Sequence, residues 1–117
     1  MTLIDTSIAI DSLQYDTPRA GSISVITLLE LLRGVTEERR PELKMYLEAY
    51  YPVLRLDNDT VLEYCRVFES LRSKGELIPE ADMIIAATAI SKGMELWTDD
   101  EHFTRLVGYG LKLKRMD

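Results

Sequence analysis

Four places in the chain carry a carboxylate where a carboxylate is costly. Asp5 directly follows the apolar run "TLI", and Asp99 and Asp100 directly follow "ELWT". Glu30 lies in "VITLLELLRG", flanked by Leu28, Leu29, Leu31 and Leu32. Asp82 stands ahead of "MIIAATAI", a stretch apolar enough to be buried. Acids among apolar side chains need a cation to meet them. If these acids converge they repel one another, and a hard divalent ion held by oxygen, Mg²⁺ or Mn²⁺, relieves that repulsion.

Each acid also has a plainer reading. Asp5 can cap the following helix, and Asp99 or Asp100 can do the same further on. Glu30 can pair with Arg33, three residues along one helix. Asp82 falls in the first turn after Pro79, where the helix dipole favours an acid. Four separate explanations are needed on that view, against one shared site.

The elements that must position these acids are legible from patterning. "TLIDT" predicts a short buried strand, with a helix over about Ser7 to Gln14 and a loop over "YDTPRAGS". "SISV" predicts a second strand leading into the helix "ITLLELLRG", stopped by Gly34. A helix follows in "TEERRPELKMYLEAYYP", with Leu43, Tyr46, Leu47 and Tyr50 on one stripe. "VLRL" is a third strand, and "DND" caps the long helix "TVLEYCRVFESLRSKG". Pro79 opens the helix "EADMIIAATAISKG", closed by Gly93. "ELWT" and "LKLK" are the last strands, with a loop and helical turn in "DDEHFTRLVGYG" between them. Alternating short apolar strands and helices predict an α/β domain with a short, mostly parallel sheet covered on both faces. Ligands of such sheets sit outside the carboxyl ends of the strands. Asp5, Asp99 and Asp100 fall there.

The 117 residues suit a single domain, 1–117. Apolar residues at 46% and charged residues at 29% are an ordinary globular balance. No apolar run approaches the roughly 20 residues that cross a bilayer, so no membrane partner is expected. The first fifteen residues carry Asp5 and Asp11 and no basic stretch, which argues against a secretory leader. With one cysteine, Cys65, no internal disulfide can form, and a cytoplasmic location is the expectation. One Cys and one His also exclude a thiolate or imidazole zinc site within one chain. A net charge of −6 opposes simple electrostatic binding of nucleic acid.

The blocks "LIDTS", "ISVITLLELLRG", "IPEADMIIAATAISKG" and "LWTDDEHF" resemble, in order, the four motif blocks of the PIN domain. Within that superfamily the chain is similar to the VapC toxin group of toxin–antitoxin modules. The similarity runs over essentially the whole chain, including the "VLRLD" strand. It implies a metal-dependent endoribonuclease, a hydrolase of phosphodiester bonds, with Asp5, Glu30, Asp82 and Asp100 as its four catalytic acids. The last block departs from the family, which often has Thr-Asn-Asp or Thr-Arg-Asn where Thr98, Asp99 and Asp100 stand. His102 also replaces a common aspartate before Phe103.

On this resemblance Asp5, Asp82 and Asp100 ligate Mg²⁺ or Mn²⁺, and Glu30 ligates through water or acts as base. Thr6, Ser7, Thr98 and Asp99 support the ligands or contact a phosphate oxygen. Two divalent ions would offset most of the negative charge, and Arg19, Arg33 and Arg105 are candidate phosphate contacts. The partners implied are an RNA substrate, a VapB-like antitoxin whose arginine enters the acidic pocket, and a second copy in a homodimer. His102 reads as a surface residue on the turn after a strand rather than a proton shuttle. Cys65 reads as core. The tyrosines at 46, 50 and 51 read as core packing ahead of a partner groove, and Lys112 and Lys114 as guards of a sheet edge. The alternatives are a silent PIN scaffold, a housekeeping PIN nuclease, or a receiver-like domain with Asp57 as phospho-acceptor.

Overall fold

In a computed structural model of the chain, described over residues 1–17 and 19–114, Leu3 and Ile4 are both sealed from solvent. Successive strand residues point to opposite faces, so a strand apolar at both positions needs cover on both sides. The strand is β1 (Thr2–Ile4), followed by α1 (Thr6–Gln14), β2 (Ile23–Ser24), α2 (Val25–Arg33) and a 3₁₀ turn at Glu37–Arg39. Then come α3 (Arg40–Tyr50), β3 (Val53–Leu54), α4 (Asn58–Ser73) and α5 (Glu80–Lys92). The last elements are β4 (Glu95–Trp97), a 3₁₀ helix at Glu101–Tyr109 and β5 (Lys112–Lys114). Pro18, in the stretch read as loop, and residues 115–117 lie outside the described residues.

Leu3 and Leu96 pack with Val67 and Leu71 of α4 and with Ile85 and Ala89 of α5. Ile4 packs on the other face with Ile8 of α1, Leu28 and Leu31 of α2, and Leu47 of α3. The chain is thus a single α/β domain, a small parallel sheet between two helical layers.

β4 pairs in parallel with β1 on one side, Leu3 opposite Leu96, and with β5 on the other, Leu96 opposite Leu113. β2 pairs in parallel with β3, Ile23 opposite Val53. A single parallel bridge, Leu3 to Ser22, joins the two pieces: the Ile4 amide donates to the Ser22 carbonyl at 2.8 Å and the Ser22 amide to the Thr2 carbonyl at 2.9 Å. The spatial order is therefore β3-β2-β1-β4-β5, and the chain reverses direction across the sheet between β1 and β4. That gap is where such sheets leave a crevice. Gly21 makes the bridge possible: a Cβ there would stand 2.9 Å from the Thr2 carbonyl oxygen and 3.0 Å from the Ile4 side chain.

Several local expectations are corrected. β3 is only Val53–Leu54, and the stretch after β4 is a nine-residue 3₁₀ helix rather than a loop and turn. Gly93 closes α5 with φ +64, whereas Gly34 ends α2 at φ −80, without a left-handed cap. Cys65 is exposed, not core. Of the tyrosines only Tyr51 is buried; Tyr46 and Tyr50 stack on each other at the surface. Lys112 and Lys114 do lie exposed on an edge strand, where their charges oppose further pairing.

Candidate metal centre

Asp5 ends β1 and begins α1, and it is only 4% exposed. Its Oδ1 accepts from the Ile8 amide at 3.1 Å, which caps α1, and from the Ser7 hydroxyl at 2.7 Å. Its Oδ2 accepts a short hydrogen bond from the buried Thr98 hydroxyl, at the carboxyl end of β4. Asp5 thus caps α1 and is tied to the end of β4 as well. Three bonds fill three of the roughly four lone-pair sites of a carboxylate, leaving one for another ligand.

Thr98 also ties down the next acid: its Oγ1 accepts from the Asp100 amide at 3.0 Å. Asp100 Oδ1 in turn accepts from the His102 amide at 3.4 Å, opening the 3₁₀ helix. Asp99 and Asp100 are both exposed, but Asp99 lies outside the cluster that Asp100 joins.

Glu30 is reached from the other half of the sheet. The Thr6 hydroxyl donates to Glu30 Oε1 at 2.7 Å and sits 3.0 Å from the Thr27 hydroxyl. A hydroxyl has one proton, and that of Thr6 is on Glu30, so Thr27 must donate to Thr6. The chain of donors runs Thr27 to Thr6 to Glu30. Arg33 stands 3.8 Å from Glu30 Oε2, and being mostly exposed it holds the acid only weakly.

Asp82 lies in the first turn of α5, where its carboxyl group is pushed above the usual carboxylate range. Burial is the main cause, with repulsion from Glu30, Asp5 and Asp100 added to it and His102 opposing it. Glu30, Asp5 and Asp100 thus all lie near enough to Asp82 to disfavour its charge.

His102 is the residue whose sequence reading fails. It is not a free surface side chain: Nε2 lies 2.9 Å from Asp82 Oδ2 and Nδ1 lies 3.1 Å from Asp100 Oδ1. Its signal was weak, because Asp82 is distant in sequence and only the fold brings it across. Thr27 was also missed, although its place one helical turn before Glu30 puts both on one face of α2.

Asp82, Asp100 and His102 offer donor atoms that all lie within 4.8 Å of one another. An octahedral ion with ligands at about 2.1 Å sets them about 3 Å apart when adjacent and about 4.2 Å apart when opposite. A donor set of this size, two carboxylates and one imidazole, fits a divalent ion.

The candidate phosphate-binding arginines are mostly engaged elsewhere. Arg105 donates to the carbonyls of Glu76 and Leu77, and Arg19 lies over the Trp97 ring. Asp57, the acceptor on the receiver-like reading, caps α4 and pairs with Lys92.

Residues 2–109 match the PIN domain family. The chain belongs to that family. Among its relatives is ribonuclease VapC1 of Methanocaldococcus jannaschii, 32% identical over 115 residues, 95% of this chain and 85% of that one. Ribonuclease VapC1 of Rickettsia felis is 31% identical over 121 residues, 91% of this chain and 90% of that one. A chain in the crystal structure of VapBC2 from Rickettsia felis, bound to a DNA fragment from its promoter, superposes with a TM-score of 0.84 at 20% identity, covering 99% and 98% of the two chains. Within the PIN-domain family the chain is thus VapC-like.

Proposed function

We propose that the protein is a metal-dependent endoribonuclease of the VapC toxin type, cleaving RNA phosphodiester bonds in the pocket at the strand ends. The observation that supports this is the cluster of Asp82, Asp100 and His102, with burial and the nearby Glu30, Asp5 and Asp100 disfavouring the charge on Asp82. Asp82, Asp100 and the open lone pair of Asp5 would hold Mg²⁺ or Mn²⁺. Such an ion lowers the pKa of water, orients substrate and stabilises charge on the leaving oxygen. Glu30, oriented by Thr6, accepts the proton of the attacking water. Ser7 and Thr98 keep the Asp5 oxygens in place, so the pocket is preorganised before substrate enters.

A VapB-like antitoxin and a second copy of the chain are the proposed partners, on the strength of the family. An arginine from the antitoxin would pair with the acids. Its apolar segment would use a groove of about 420 Å³ lined by Val25, Leu28, Leu29, Leu32, Arg33 and Arg40. That groove runs along the helix carrying Glu30. The hollow beside Tyr46 and Tyr50 is smaller, about 100 Å³.

The test is cleavage of a panel of structured RNAs. EDTA should abolish it, and Mg²⁺ or Mn²⁺ should restore it. Asp5→Asn should lose it, and equal cleavage by both proteins would overturn the assignment.

A further inference from the structure

We propose that Arg19 and Lys114, gathered on the Trp97 ring, form a phosphate-binding subsite for the RNA strand beside the acid pocket. The inference rests on the nuclease reading and deepens it, assigning a substrate contact that carboxylates cannot make.

The charges come first. The Arg19 guanidinium carbon lies 5.6 Å from the centroid of the Trp97 ring, and Lys114 Nζ lies 4.3 Å from it. Both are within cation–π reach, so one ring collects two positive charges in a chain of net charge −6. Neither cation forms an ion pair with a described residue. Like charges beside one ring repel each other, and a phosphate bridging them offsets that repulsion.

The donors point the same way. Arg19 Nε and Trp97 Nε1 are both buried and make no hydrogen bond with a described residue. Buried donors normally have an acceptor, and phosphate oxygens accept only. Stacking engages the face of a guanidinium, not the N–H groups along its edge. Arg19 lies over the indole, so a shift of that one flexible side chain would bring both donors to an arriving phosphate.

Position ties the cluster to the reaction. Trp97 packs against the layer of α1, α2 and α3, and its carbonyl accepts from the Asp5 amide at 3.1 Å. Thr98, the next residue, holds Asp5 and Asp100. The cations and the acids therefore flank the same strand end, and an RNA strand crossing that rim would meet both.

Trp97 is the only tryptophan in the chain, so its fluorescence reports on this subsite alone. The experiment titrates the full-length protein in EDTA with a short single-stranded oligouridylate, with inorganic phosphate and with an oligoglutamate peptide. Values of kcat and KM for RNA cleavage with Mn²⁺ follow. The variants are Arg19→Gln, Lys114→Gln and the charge-conserving Lys114→Arg. The oligouridylate should change the emission saturably. Each glutamine variant should weaken its binding severalfold and flatten the salt dependence by about 0.7 in log–log slope. KM should rise severalfold with kcat held, the mark of lost binding rather than lost chemistry, and Lys114→Arg should behave as wild type. Glutamine variants with wild-type affinity, salt slope and KM would overturn the proposal, and loss of cleavage in Asp5→Asn would then leave the nuclease reading standing. A fall in kcat at unchanged KM would overturn it too, showing a merely structural role. Oligoglutamate binding as tightly as the oligouridylate would assign the cluster to an acidic protein partner instead, and a response to inorganic phosphate alone would reduce it to a simple anion site. Wild type that neither binds nor cleaves any RNA would sink both readings.

Discussion

The Thr98 hydroxyl donates to Asp5 Oδ2 across 93 positions of sequence and accepts from the Asp100 amide, so one buried side chain fixes both acids. Thr98→Val keeps the shape and removes both bonds. It leaves a buried carboxylate oxygen and an amide without their partner, a loss of about 1–3 kcal/mol. Thermal or urea unfolding measures it. Thr98→Ser should recover most of the stability, and a valine variant as stable as wild type would contradict the bond network.

Thr27 acts on Glu30 only through Thr6. Thr27→Val, isosteric and fully buried, should cost about 1 kcal/mol and lower cleavage severalfold without changing metal affinity. Thr27→Ser should restore both. Titration of Mn²⁺ alongside the cleavage assay separates this from general damage to the pocket.

Asp82→Asn removes a charge that burial and three other acids oppose. In chelator at neutral pH the variant should melt above wild type. Ions that bind the native state stabilise it by mass action, so added Mn²⁺ should reverse the ranking. Calorimetric melts with and without the ion check both halves, and a variant that melts lower in chelator would contradict the repulsion.

Asp57 gives a pH dependence remote from the pocket. The Lys92 ammonium and the Thr60 amide hold its carboxyl down at about 2. A depressed acid contributes stability above its unfolded value near 3.9, and that contribution is lost as pH falls toward 2. Asp57→Asn keeps an N-cap of similar quality but loses the ion pair. The variant should therefore be less stable than wild type at neutral pH, with the gap closing as pH drops through that window. A gap unchanged between pH 6 and pH 2.5 would contradict the assignment.

The acids were legible because two rules that need no coordinates apply to them. Asp5 and Asp100 follow strands, Glu30 interrupts an apolar helix and Asp82 directly precedes an apolar helical run, where a charge has to be explained. What failed was helix phase. α4 buries Thr60, Val67 and Leu71, which share one face at about 100° per residue, and Cys65 falls roughly 140° from it. On α3 and its end the buried pair is Leu47 and Tyr51, one step round from the stacked Tyr46 and Tyr50. His102 failed for a different reason: its role depends on α5 crossing to the end of β4, a contact that no local spacing encodes.

The parallel pairing of β1 with β4 also fixes when in the life of a molecule the pocket can exist. At about 5–20 residues per second, a ribosome delivers Thr98 roughly 5–20 seconds after Asp5. Until then β1 lacks its β4 neighbour and Asp5 lacks a hydroxyl donor. A product that stops short of β4 carries Asp5, Glu30 and Asp82 but has neither Thr98 nor Asp100 to close the group. On the proposed function, the centre stays incomplete until β4 and Asp100 have been made.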